Sequence, residues 1–164
     1  YSLITNHHVL TPGKPFRVQA PDGRVYPATL LAGHHFRRLE RFLGHDLEIL
    51  QFRSQSQYAI ASLNPAVALQ VGSEVYAAGF PFEADEGNRT GFVITPGHIS
   101  LLLERSLSGG YQIGYTNRVH QGMSGGPLLN RAGEVVGVNG LHAYPLWGDP
   151  YTFQDGSSPL PPLK

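Results

Sequence analysis

No part of this chain runs far before a turn signal interrupts it, and that punctuation limits the fold more than any other feature. Pro21-Asp22-Gly23, Ser108-Gly109-Gly110 and Arg131-Ala132-Gly133 each separate short runs rich in β-branched and aromatic residues. Strands are expected at 1–5, 16–19, 24–31, 47–52, 75–80, 91–95, 99–103, 111–116, 127–130 and 135–139. With 20 Gly and 13 Pro in 164 residues, long helices have little room. Short strands with closely spaced turns predict an all-β barrel or sandwich, and 164 residues can bury a working core.

Chemistry concentrates at Gly122-Met123-Ser124-Gly125-Gly126-Pro127. Glycines beside a serine allow a bend in which the hydroxyl is uncrowded and backbone N–H groups converge. A lone stretch of this kind is more often just a turn. A serine nucleophile also needs a general base and a group to orient that base. Thr5-Asn6-His7-His8-Val9 offers histidine and His45-Asp46-Leu47-Glu48-Ile49-Leu50 offers aspartate, so the order is His, Asp, Ser. Gly122, Ser124 and Gly126 also fit the loose G-x-S-x-G of α/β-hydrolases, but there the acid and histidine follow the serine and a helix starts after it. Neighbouring side chains of a strand face opposite ways, so only one of His7 and His8 is expected to enter a cleft.

Together these three stretches resemble T-N-x-H-V, D-L-x-[IV]-L and G-x-S-G-G-P-L-L-N of the bacterial trypsin-like, chymotrypsin-fold serine peptidases, in that family's order, from about Ser2 to Gly140. The resemblance implies two antiparallel Greek-key β-barrels with the active site between them. The first would span about 1–55 and the second about 67–153, with 154–164 as a tail. It implies His8 as base, Asp46 as its orienting acid and Ser124 as nucleophile, with the N–H groups of Gly122 and Ser124 as the oxyanion hole. Substrate-binding residues would be Arg118, Asn139 and Gly140. Arg118 stands six residues before Ser124, the family position that often forms the pocket base, and a guanidinium there favours acidic side chains. Met123 stands where digestive relatives carry an aspartate that pairs with a freed N-terminus, so no such activation is expected. Gly79-Phe80-Pro81 resembles the family's G-F-P in the second barrel. Glu48 departs from the small residue usual there, and a carboxylate facing the cleft would raise the histidine pKa.

The family also carries strands ahead of the histidine strand, and a further strand and helix after the region of Trp147. The sequence has room for neither, so the first barrel is expected to be incomplete, with open edges. The implied function is serine endopeptidase acting on protein or peptide through an acyl-enzyme. The alternatives are a weak or inactive protease-like peptide-binding module and, behind it, an esterase. A secreted or periplasmic location is likewise implied by the resemblance.

Composition excludes other classes. Net charge is zero, which leaves no electrostatic footprint for nucleic acid, and there is no apolar run of membrane-spanning length. No cysteine is present, so disulfides play no part. The segment 34–45 holds three histidines, but without Cys pairs or H-E-x-x-H spacing it reads as a solvated loop, not a metal site. No cofactor is called for. Residues 56–66 read as a link between halves, and the stretch from His142 onward as loop and tail.

Overall fold

A computed structural model describes residues 1–10, 13–31, 44–64, 68–82, 91–141 and 151–159. Its strands are β1 (Ser2–Thr5), β2 (Phe16–Gln19), β3 (Val25–Leu30), β4 (Glu48–Phe52), β5 (Glu74–Gly79), β6 (Val93–Leu102), β7 (Ile113–Tyr115), β8 (Pro127–Leu129) and β9 (Val135–Val138). The one helical element among the described residues is a 3-10 turn, His7–Val9. The fold is all-β, with two antiparallel sheets: a four-stranded one in the order β1-β4-β3-β2 and a five-stranded one in the order β7-β6-β5-β8-β9.

Period-two patterning explains which faces turn inward. In β4, Leu50 and Phe52 are buried while Gln51 is exposed, and they pack with Ala28, Leu3, Phe16 and Tyr26 as the first core. In β5, Val75 and Ala77 join Ile99 and Leu128 in the second. The β2–β3 hairpin closes as its turn residues predict. Gly23 takes a positive φ, its N–H donates to Ala20 O at 2.9 Å, and Asp22 Oδ1 accepts from the Arg24 N–H.

Between the sheets, Ile4, Leu47 and Ile49 face β9 across an apolar groove of about 380 Å³. The segment expected to link the halves touches both sheets: Tyr58 packs against the first core and its N–H donates to the Tyr1 hydroxyl at 2.9 Å, while Leu63 forms a parallel bridge to Val135 and Asn64 Nδ2 donates to Glu134 Oε2 at 2.9 Å.

Two expected strands, 91–95 and 99–103, are one strand of ten residues, β6. Pro96-Gly97 reads locally as a break, because proline lacks a ladder donor and glycine weakens a strand. Here Pro96 sits on the exposed face, opposite Tyr76, and Gly97 on the buried one. Asn117 occupies the space a Cβ at Gly97 would need. Its Nδ2 donates to Val75 O at 3.0 Å and Thr95 O at 2.5 Å, so a distant side chain braces the ladder where proline thins it.

The 34–45 reading falls outside the described residues except at Gly44 and His45, as does the segment 142–150. Of the tail, residues 152–155 grip the turn at 107–110. The Ser108 N–H donates to Thr152 O at 2.7 Å, Leu107 bridges Phe153, and Arg105 lies 4.3 Å over the Phe153 ring and pairs with Asp155.

Candidate active site

The histidine pair does not continue β1. Asn6 is the last extended residue, with φ −81° and ψ 148°, and the chain then winds into the 3-10 turn, closed by the Leu10 N–H donating to His7 O at 3.0 Å. Strand alternation was therefore the wrong rule for separating the two histidines; a 3-10 turn advances about a third of a revolution per residue and splays them instead. Each finds its own acid. His7 Nδ1 lies 2.8 Å from Glu48 Oε1, out in solvent, while His8 Nδ1 lies 2.5 Å from Asp46 Oδ2. Glu48 thus pairs with His7, and its charge is not directed at His8.

Asp46 sits just before β4, held by groups from three parts of the chain. Its Oδ1 accepts from the His8 N–H at 2.9 Å, its backbone O from Asn6 Nδ2 at 2.8 Å, and its own N–H donates to Gly109 O at 2.7 Å. The Tyr111 hydroxyl donates to Oδ2. Burial pushes this carboxyl upward, but the hydrogen bonds from Tyr111 and from the backbone and ring of His8, with the attraction of His8, outweigh it and hold the pKa below its ordinary value. A depressed folded-state pKa means the carboxylate contributes stability at neutral pH and loses it only as pH falls below the carboxylate range. Asp46 is thus ionised wherever imidazole titrates.

Ser124 stands in a loop fixed from below. His120 to Met123 form a β-turn, with the Met123 N–H donating to His120 O at 3.1 Å and Gly122 in third place at φ 94°, the positive value that a type II turn requires there. Met123 is 1% exposed and fills the space beside Gly79, where a Cβ would stand 2.9 Å from its own. The G-F-P segment thereby backs the loop. The Gly125 N–H donates to Asn139 O at 2.9 Å, the Asn139 N–H to Gly126 O at 2.8 Å, and the Gly126 N–H to Met123 O at 3.0 Å. Among the described residues, no protein acceptor takes the N–H of Gly122 or of Ser124.

This loop seats against the histidine segment. A Cβ at Gly125 would stand 2.5 Å from Thr5 Oγ1 and 3.4 Å from Asn6 N. The structure therefore brings His8 and Asp46 into direct contact and lays the residue after Ser124 against Thr5-Asn6. Among the described residues no hydrogen bond joins Ser124 to His8.

Arg118 is exposed, with no ion pair among the described residues. Asn139 is fully buried: Nδ2 donates to Ala78 O at 3.2 Å and Oδ1 accepts from the Tyr115 hydroxyl at 2.8 Å, so side chain and backbone both brace the serine loop. Burial raises the Tyr115 pKa to about 12, which keeps that donor protonated. Gly140 lies against the Tyr111 ring. Sequence reasoning missed Asn6 and Tyr111 as supports of Asp46. Asn6 was visible only as part of a motif, and Tyr111 is separated from Asp46 by 65 positions, which no spacing rule covers. No cluster of three or more metal-ligating side chains occurs among the described residues.

Two antiparallel sheets, one carrying a hydrogen-bonded histidine–aspartate pair and the other a glycine-bounded serine loop, agree with the class that the sequence comparison returns. The trypsin-like peptidase domain family matches residues 1–138, and the chain belongs to that family. It is similar to the periplasmic pH-dependent serine endoprotease DegQ of Escherichia coli (strain K12), 29% identical over 84% of this chain, and to a probable periplasmic serine endoprotease DegP-like of Rhizobium meliloti (strain 1021), 33% identical over 84%. It is also similar to serine protease HTRA1 of Xenopus laevis, 28% identical over 85%. The chain spans 28%, 25% and 28% of the length of these relatives.

Proposed function

We propose that this chain is the catalytic domain of a serine endopeptidase, with His8 as general base, Asp46 as its orienting acid and Ser124 as nucleophile. The observation that carries the reading is the His8–Asp46 hydrogen bond, formed next to the seat of the Ser124-Gly125 loop. Asp46 occupies His8 Nδ1, which leaves Nε2 as the ring nitrogen for the serine proton. Ser124 Oγ attacks the peptide carbonyl as His8 takes that proton, and the developing oxyanion accepts from the Gly122 and Ser124 N–H groups. His8 then protonates the leaving amine, the acyl-enzyme forms, and water repeats the sequence to release the acid. Asp46, ionised throughout, holds the tautomer and stabilises the imidazolium.

Arg118 is proposed to set specificity by attracting an acidic side chain N-terminal to the scissile bond. A secreted or periplasmic site of action fits the two bacterial relatives, both of them named as periplasmic endoproteases. The open Ser124–His8 link is the observation that favours the second reading, a protease-like module that binds peptide without cutting it.

Incubation with a mixed peptide library tests the proposal. Cleavage with enrichment of Glu and Asp before the cut is the expected result. Equal cleavage after Glu, Leu and Lys would remove Arg118 from the pocket. Capture of peptides with no cleavage would establish the binding module instead.

A further inference from the structure

From the hydrogen bond of the Tyr111 hydroxyl to Asp46 Oδ2, the oxygen that also meets His8 Nδ1, we infer that Tyr111 is a positioning residue of the site, a third member joined to the His8–Asp46 pair. This inference rests on the peptidase reading and adds a residue to it.

The surroundings of Tyr111 are arranged to deliver that hydroxyl. Gly109 and Gly110 both take positive φ, and the turn they form is tied at 2.8 Å by the Leu107 N–H donating to Tyr111 O and at 2.9 Å by the Gly110 N–H donating to Leu107 O. Residues 152–155 clamp this turn from outside. The ring lies between two glycines: a Cβ at Gly109 would stand 2.7 Å from Cε2 and one at Gly140 would stand 2.5 Å from Cε1. Either side chain would displace the ring, and with it the hydroxyl. Gly140 also lies close to Asn6, the residue that holds the Asp46 backbone. One turn therefore fixes Asp46 twice, through Gly109 O and through the phenol.

A carboxylate with one oxygen bound to His8 can still rock about its Cβ–Cγ bond. A second donor to Oδ2, together with the His8 N–H on Oδ1, leaves it one orientation. The ionisable groups around Asp46 are His8 from the 3-10 turn, Tyr111, the His7–Glu48 pair at the start of β4, and His45, whose ring lies beside Gly110. Burial and the neighbouring carboxylate raise the Tyr111 pKa well above its ordinary value, so the phenol keeps its proton across the working range.

Removing this donor leaves more of the carboxylate charge to hold a proton on His8, and that moves the acid limb of the rate profile upward. Tyr111→Phe is expected to lower kcat about tenfold with KM within about twofold, the size of one hydrogen bond to a charged group. Its acid limb in kcat/KM is expected to rise by about half a unit or more. Replacing Tyr111 with 3-fluorotyrosine, a stronger donor of nearly the same size, keeps the fold and is expected to move the limb the other way. A residue that only fills space would shift thermal stability and leave the limb in place. Coincident limbs for an active wild type and both variants would overturn the role of Tyr111 alone. A wild type that neither hydrolyses peptide nor reacts with a fluorophosphonate would overturn the peptidase reading, and this inference with it.

Discussion

Ser124→Ala is expected to reduce peptide hydrolysis by a factor on the order of 10⁶ while leaving the protein folded. The size follows from the role: without Oγ there is nothing for His8 to deprotonate, and what survives is the modest acceleration from the oxyanion donors and binding alone. The fold should not notice the change. Ser124 is only partly buried, its hydroxyl has no hydrogen-bond partner among the described residues, and the loop is held by the backbones of Met123, Gly126 and Asn139. A stability change within about 0.5 kcal/mol is expected for such a truncation. Steady-state hydrolysis and thermal unfolding measured side by side check both halves. Hydrolysis near the wild-type rate would place the nucleophile elsewhere.

Gly122→Ala is expected to lower kcat by about 10² to 10³, the usual cost of losing one oxyanion donor. At φ 94° an alanine is strained by about 1–2 kcal/mol. Its Cβ would also stand 2.8 Å from Phe80 O and 2.5 Å from Phe82 Cδ2. The phenyl ring can turn aside, but the carbonyl is backbone and cannot. Relief comes from turning over the Gln121–Gly122 peptide, which exchanges the type II turn for one with negative φ at its third residue and swings the Gly122 N–H away from the site. Because the donor acts on charge that develops only at the transition state, KM should change far less than kcat. A kcat within fivefold of wild type would mean that this amide does not bind the oxyanion.

How much of this was legible beforehand depended on whether local rules governed the residue. The β2–β3 hairpin was readable because Pro21-Asp22-Gly23 carries its own turn geometry, and the serine loop because Gly122 to Gly126 is a contiguous pattern. β6 was misread because Pro96-Gly97 is a local stop signal. What keeps the strand whole is the Asn117 amide, from an element twenty positions on. His7 and His8 were separated by the period of a strand when the backbone between them is a 3-10 turn, an outcome set by the Leu10 N–H closing on His7 O. Glu48 looked like a second charge on the base, and only the fold reveals that His7 is its partner. Tyr111 carried no signal at all, since its contact with Asp46 exists only once the two sheets are apposed.

The joining of an early imidazole and carboxylate to a late hydroxyl is tested most directly by mass-spectrometric mapping of a fluorophosphonate adduct on the folded protein. A single adduct on Ser124, lost or slowed by at least about a thousandfold in His8→Ala, is the result expected of a serine activated across the two sheets. An adduct on another residue, or none on protein with native β-sheet circular dichroism, would contradict it.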